Sequence, residues 1–159
     1  MKLKTIIDED FINYKKPSMM LATCQCDWKC LKDNNLDMSI CQNSELAHQK
    51  TIEISNEKII ARYLNNPISQ TLVIGGLEPF LQFKELLLLI HDFREKCEDE
   101  VVIYTGYYPS EIKKELKQLK EYSNIIVKFG RYDPTRLKIF DIVLGVWLAS
   151  YNQFAIKIS

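Results

Sequence analysis

Four short apolar runs decide what this chain can become. They are Ser18–Thr23 (SMMLAT), Thr71–Ile74 (TLVI), Val101–Thr105 (VVIYT) and Ile125–Phe129 (IIVKF). Each is too short for a helix and has the composition of a buried strand. Segments of helical period stand between them. Ser55–Leu64 carries Ile59, Ile60 and Tyr63 on one face, with Ser55 placed to cap its start. Gln82–Lys96 carries Phe83, Leu86, Leu87 and Ile90 at i, i+3, i+4 and i+7. Ser110–Tyr122 is charged, with a narrow stripe of Ile112, Leu116 and Leu119. Strands alternating with helices imply βαβ units, so the expected class is α/β with a mostly parallel sheet. Beyond Gly130 the pattern weakens: Asp133-Pro134 marks a turn, and Val143–Leu148 and Phe154–Ile158 are each expected to form a short strand.

With 159 residues, 47% of them hydrophobic, the chain is expected to form one domain over residues 1–159 around a real core. Lysine plus arginine equals aspartate plus glutamate, 21 against 21. That balance gives no electrostatic footprint for nucleic acid. Met1–Asp10 alternates charged and apolar residues and lacks a signal-peptide core, and the longest wholly apolar stretch, near Leu86–Ile90, is far too short for a membrane span. The expectation is a soluble cytoplasmic protein without membrane contact.

Cys24, Cys26, Cys30 and Cys41 lie in one polar loop, Cys24–Ser44, and Cys97 stands apart. In a reducing cytosol such a group is metal-binding or catalytic more often than disulfide-bonded. Thiolates are soft donors, so zinc, iron–sulfur and copper(I) are the candidates. Three cysteines hold three irons of a cubane and leave the fourth free for a substrate ligand. Four would close a structural zinc site, but C-x-C-x3-C-x10-C is an unusual zinc spacing. Cys24 and Cys26 alternate along an extended segment and so point to opposite sides. The cysteine loop, Gly75-Gly76 and Thr105-Gly106 all follow strands, and in a parallel sheet they belong to the rim where ligands bind.

These stations, in this order, resemble the radical S-adenosylmethionine (SAM) proteins. More narrowly, they are similar to the small activating proteins of anaerobic ribonucleoside-triphosphate reductase. The family's cluster motif, C-x3-C-x2-C with an Asn two residues after the last cysteine, is matched by Cys26-x3-Cys30 and by Ile40-Cys41-Gln42-Asn43. Its Gly-Gly-acid-Pro turn is matched by Gly75-Gly76-Leu77-Glu78-Pro79, its Thr-Gly-Tyr strand end by Thr105-Gly106-Tyr107, and its C-terminal Ser-Asn-Gln segment by Ser150-Tyr151-Asn152-Gln153. Two departures stand out. Ten residues separate Cys30 from Cys41 where two are usual, which reads as an eight-residue insertion within Leu31–Ser39. Leu77 is one extra residue inside the glycine turn.

The resemblance implies a partial (open) β/α barrel and a radical SAM enzyme. Cys26, Cys30 and Cys41 would hold a 4Fe-4S cluster whose fourth iron chelates S-adenosyl-L-methionine, cleaved reductively to a 5′-deoxyadenosyl radical. Gly75 and Gly76 would admit the ligand to the backbone. Glu78 would accept from its ammonium group; the same residue also reads as a helix N-terminal acid. Backbone at Ile40 would lie beside adenine, with Asn43 completing the cluster motif. Thr105 and Tyr107 would line the nucleoside pocket. Asn152 would touch the ribose or serve as an ordinary turn residue. Cys24 and Cys97 are not expected to be ligands. The implied target is a glycine of a large glycyl-radical enzyme, anaerobic ribonucleotide reductase, with reduced flavodoxin or ferredoxin as electron donor. A radical enzyme with another protein or small-molecule target, and a non-catalytic zinc or iron–sulfur module, are the alternatives.

Overall fold

A computed structural model describes residues 1–159. Nine strands are β1 (Lys2–Asp10), β2 (Ser18–Thr23), β3 (Ile52–Glu53), β4 (Thr71–Gly76), β5 (Glu100–Tyr104), β6 (Ile125–Phe129), β7 (Ile139–Asp141), β8 (Val146–Leu148) and β9 (Phe154–Lys157). Five helices are α1 (Lys29–Asn34), α2 (Ser44–His48), α3 (Asn56–Leu64), α4 (Phe83–Arg94) and α5 (Lys113–Leu119). Seven strands form one sheet in the order β3-β1-β2-β4-β5-β6-β9, and β7-β8 is a separate hairpin. The four central strands, β2, β4, β5 and β6, run parallel, and both margins are antiparallel. The class is therefore α/β with the expected parallel centre.

The sheet winds in one direction, each parallel strand joining beyond the last, and its two faces differ accordingly. Leu72, Ile74, Val101, Ile103, Ile125 and Val127 point into the larger core, against Ile59 and Tyr63 of α3, Leu86, Leu89, Ile90 and Phe93 of α4, and Leu119 of α5. The alternate residues Val73, Val102 and Ile126 meet Tyr14, Leu144, Leu148 and Ala155, with no helix among them. A right-handed crossover repeated in one direction stacks its helices on one face. The other face is left to loops and the β7-β8 hairpin.

The apolar runs and stripes became elements close to the expected bounds, and Ser55 Oγ accepts from Lys58 N at 3.4 Å at the start of α3. Four segments differ. The helix expected over Ser110–Tyr122 is only α5, because Glu111 turns back to accept from Tyr108 N at 2.8 Å and Ile112 is not helical. The strand expected over Val143–Leu148 begins at Val146; Asp141 accepts from Leu144 N and Gly145 N, and Gly145 at φ 71° completes a turn there. Met1–Asp10 is mostly β1, paired with β2 across two irregularities of register, with only Leu3 and Asp10 buried. The cysteine loop contains α1, α2 and a 3-10 turn over Met38–Ile40. No helix is long and apolar enough to cross a membrane.

Candidate iron–sulfur site

The carboxyl ends of the four parallel strands lie side by side, since Ala22 pairs with Gly75, Ile74 with Ile103, and Tyr104 with Lys128. Chain leaving those ends surrounds a cavity of about 300 Å³. Cys26, Cys30 and Cys41 all line it, together with Asn43, Gly76, Glu78, Thr105 and Tyr107. Three expected residues lie elsewhere. Gly75 is beneath the rim, where a Cβ would come within 3.2 Å of Tyr104 Cβ. Ile40 is exposed in its 3-10 turn. Asn152 Nδ2 donates to Arg131 O at 2.7 Å and Tyr108 Oη at 3.1 Å, the behaviour of a turn residue.

Two hydrogen bonds sew the cysteine segment to the end of β4. Glu78 N donates to Gln25 O at 2.7 Å, just before Cys26. Asn43 Nδ2 donates to Gly76 O at 2.7 Å, just after Cys41. Gly76 itself has φ 85°, and a Cβ there would stand 2.8 Å from Ala22 Cα, so only glycine fits. At the near end of the segment Asp27 accepts from Lys29 N at 3.1 Å and from Tyr107 Oη at 2.7 Å, tying the start of α1 to the end of β5.

The insertion does not hang free. Arg131, just past β6, is buried, and its terminal nitrogens donate to Glu111 at 2.9 and 2.6 Å. Its Nε stands 2.8 Å from Asp33 Oδ2 of α1, at ion-pair distance without hydrogen-bond alignment. Lys29, one turn earlier on α1, also pairs with Glu111. The neighbouring Arg131 guanidinium holds the Glu111 carboxyl down at about 2. Cys30 thus sits between two charged anchors of one short helix.

Glu78 is buried, and its carboxylate accepts from Thr105 Oγ1 at 2.8 Å, Gly106 N at 2.9 Å and Phe80 N at 3.1 Å. It clamps the end of β5 and caps the Pro79–Gln82 3-10 turn, so the N-terminal-acid role is realised while the side chain still lines the cavity. Burial pushes its pKa up to about 7 despite those donors. Burial likewise raises Cys26 to about 12 and Cys30 above its usual range. Bound iron reverses this, because a metal deprotonates its thiol ligands outright.

The donor set fits an iron–sulfur cluster. Three thiols and no histidine face one cavity. The cysteines of a cubane each take a different iron, so they must share a cavity rather than a point. No three His, Cys, Asp or Glu side chains converge as the ligands of one ion would. Cys24 points away, with Sγ 3.3 Å from Gln82 Oε1.

Lys128 and Arg131 were not among the expected residues. Arg131 follows a glycine in a weakly patterned stretch, and only its three-dimensional partners mark it. Lys128 did leave a signal, a charge inside the apolar run Ile125–Phe129.

The family model for the 4Fe-4S single cluster domain matches residues 18–153, and the chain belongs to that family. No curated protein and no solved structure matches the chain.

Proposed function

We propose that this member of the single-cluster family is a radical SAM enzyme, built as a partial barrel in one cytoplasmic domain. The observation that carries the reading is the sharing of one strand-end cavity by Cys26, Cys30 and Cys41 with the glycine turn at Gly76 and the acid Glu78. Cys26, Cys30 and Cys41 would hold the cluster. When bound, the cluster supplies the electron that cleaves S-adenosyl-L-methionine to methionine and a 5′-deoxyadenosyl radical.

The chain's own residues bind, orient and exclude water. Gly76 brings backbone to the cavity wall without a side chain in the way. Glu78 offers a carboxylate whose Oε2 accepts only from Gly106 N, which leaves it able to accept from a ligand ammonium. Thr105 and Tyr107 form the wall toward the nucleoside. Trp28 is also on the wall, where it would shield a bound cluster.

The target in this reading is a glycine of a large glycyl-radical enzyme, anaerobic ribonucleotide reductase, docked on the open rim, with reduced flavodoxin or ferredoxin as donor. The test is electron paramagnetic resonance of the anaerobically reconstituted, dithionite-reduced protein. A 4Fe-4S signal that changes shape on adding SAM, followed by a glycyl-radical doublet on adding the reductase and SAM, is expected. A cluster signal indifferent to SAM would remove the enzyme reading and leave an iron–sulfur module. A SAM response without the doublet would redirect the search to another target.

A further inference from the structure

Lys128 is the one buried lysine, and it lines the cavity that Cys26, Cys30 and Cys41 share. It lies on β6 between Tyr104 of β5 and Ala155 of β9, on the sheet face that carries no helix. Its ammonium group donates to Gly130 O at 3.0 Å and stands 5.8 Å from the centre of the Tyr104 ring. No carboxylate lies within ion-pair distance of it, although Lys16, Lys29, Arg62, Arg131, Arg136 and Lys157 all have one. A buried ammonium with one neutral acceptor is costly to the empty fold. Glu78 and Cys30 line the same cavity wall.

We infer that Lys128 is a redox-positioning residue: its fixed positive charge beside the cysteine cavity raises the reduction potential of the cluster held there. The inference rests on the cluster reading above. Three thiolates on a 4Fe-4S core of charge 2+ give a net charge of −1. Uptake of one electron from a low-potential donor makes it −2, with no proton or ligand exchanged. A buried cation favours the more negative state, and net charge is among the levers that set such potentials. Burial depresses the Lys128 pKa to about 8, so the group is still largely protonated at neutral pH, and a charged cluster holds that proton more firmly.

The test is a potentiometric titration of reconstituted wild-type, K128M and K128R proteins, followed by electron paramagnetic resonance without SAM. In K128M the equilibrium constant for reduction falls at least tenfold, which for one electron is about 59 mV. K128R stays near wild type. Thermal unfolding of the iron-free K128M chain is unchanged or later, because an uncompensated buried charge has been replaced by an apolar chain of similar length. A purely structural lysine would instead give earlier unfolding and an unchanged potential. A K128M protein with full cluster and a constant within twofold of wild type overturns the inference and leaves the proposed function standing. Loss of the cluster from both K128M and K128Q, with folding intact, also overturns it, since the role is then retention. A wild-type protein that takes up no 4Fe-4S cluster overturns both readings.

Discussion

Asn43 Nδ2 donates to the carbonyl oxygen of Gly76 at 2.7 Å, joining the residue two beyond the last cavity cysteine to the end of the second parallel strand. Cys41 is thereby held against β4 although the insertion separates it widely from Cys30 in sequence. Loop closure costs little more for a longer loop, and this bond fixes where the longer loop ends.

Asn43→Ala removes one such bond, a contribution of about 1 kcal/mol. The expected result is a normally folded chain that retains less iron after reconstitution and gel filtration. Hydrogen exchange over residues 38–44 should quicken while β4 and β5 keep their protection. Unaltered exchange there would show that the loop is held by other contacts.

Gly76→Ala places a methyl 2.8 Å from Ala22 Cα, at a φ of 85° that L residues rarely adopt. Because β2 and β4 are paired there, the backbone has nowhere to yield. A loss of at least about 2 kcal/mol is expected in urea unfolding, against a small effect for Gly106→Ala, whose Cβ would meet nothing closer than 3.6 Å.

Much of this arrangement is legible in the sequence. The runs TLVI, VVIYT and IIVKF fix the parallel centre because strands buried on both faces have few compositional alternatives, and the rim position of Cys26, Gly76 and Thr105 follows from that order. The N-terminal strand was missed because Lys2–Asp10 buries only Leu3 and Asp10 fully, and its charges resemble a solvated tail. Helix α1 was missed because it contains only one buried residue, Leu31; its order comes from Glu111 and Arg131, some eighty and a hundred residues away. Ion pairs of that sequence separation leave no local pattern. Ile40 and Asn152 matched the family motif by position, yet neither lines the cavity.

Glu78 makes the iron-free chain pH-sensitive. Its folded pKa, near 7, lies above the usual 4.5, so the folded state binds the proton more tightly than the unfolded state does. The stabilisation is fully present below about pH 4.5 and is lost as pH rises through about 7, a swing of roughly 3 kcal/mol. Denaturant unfolding at pH 5, 6, 7 and 8 should give a difference between wild type and Glu78→Gln that changes across this window. A constant difference would place the carboxyl in water.

Arg131→Met frees Asp33 and leaves Glu111 with Lys29 as its ion-pair partner and Tyr108 N as a backbone donor. Because the guanidinium is buried between them, α1 should lose protection from hydrogen exchange, and with it the fixed approach of Cys30. The effect should exceed that of Lys29→Met, whose ammonium is more exposed. Equal protection in all three proteins would mean that Leu31 alone anchors the helix.

The central claim is that Cys26, Cys30 and Cys41 together hold a cluster that cleaves SAM, and an assay for 5′-deoxyadenosine tests it most directly. Wild-type protein, Cys41→Ala and Cys24→Ala would be reconstituted anaerobically with iron and sulfide, reduced with dithionite and given SAM. Product from wild type and Cys24→Ala, with none from Cys41→Ala, is the outcome the account predicts. Product that survives Cys41→Ala, or a wild-type chain that binds iron and sulfide yet makes none, would contradict it.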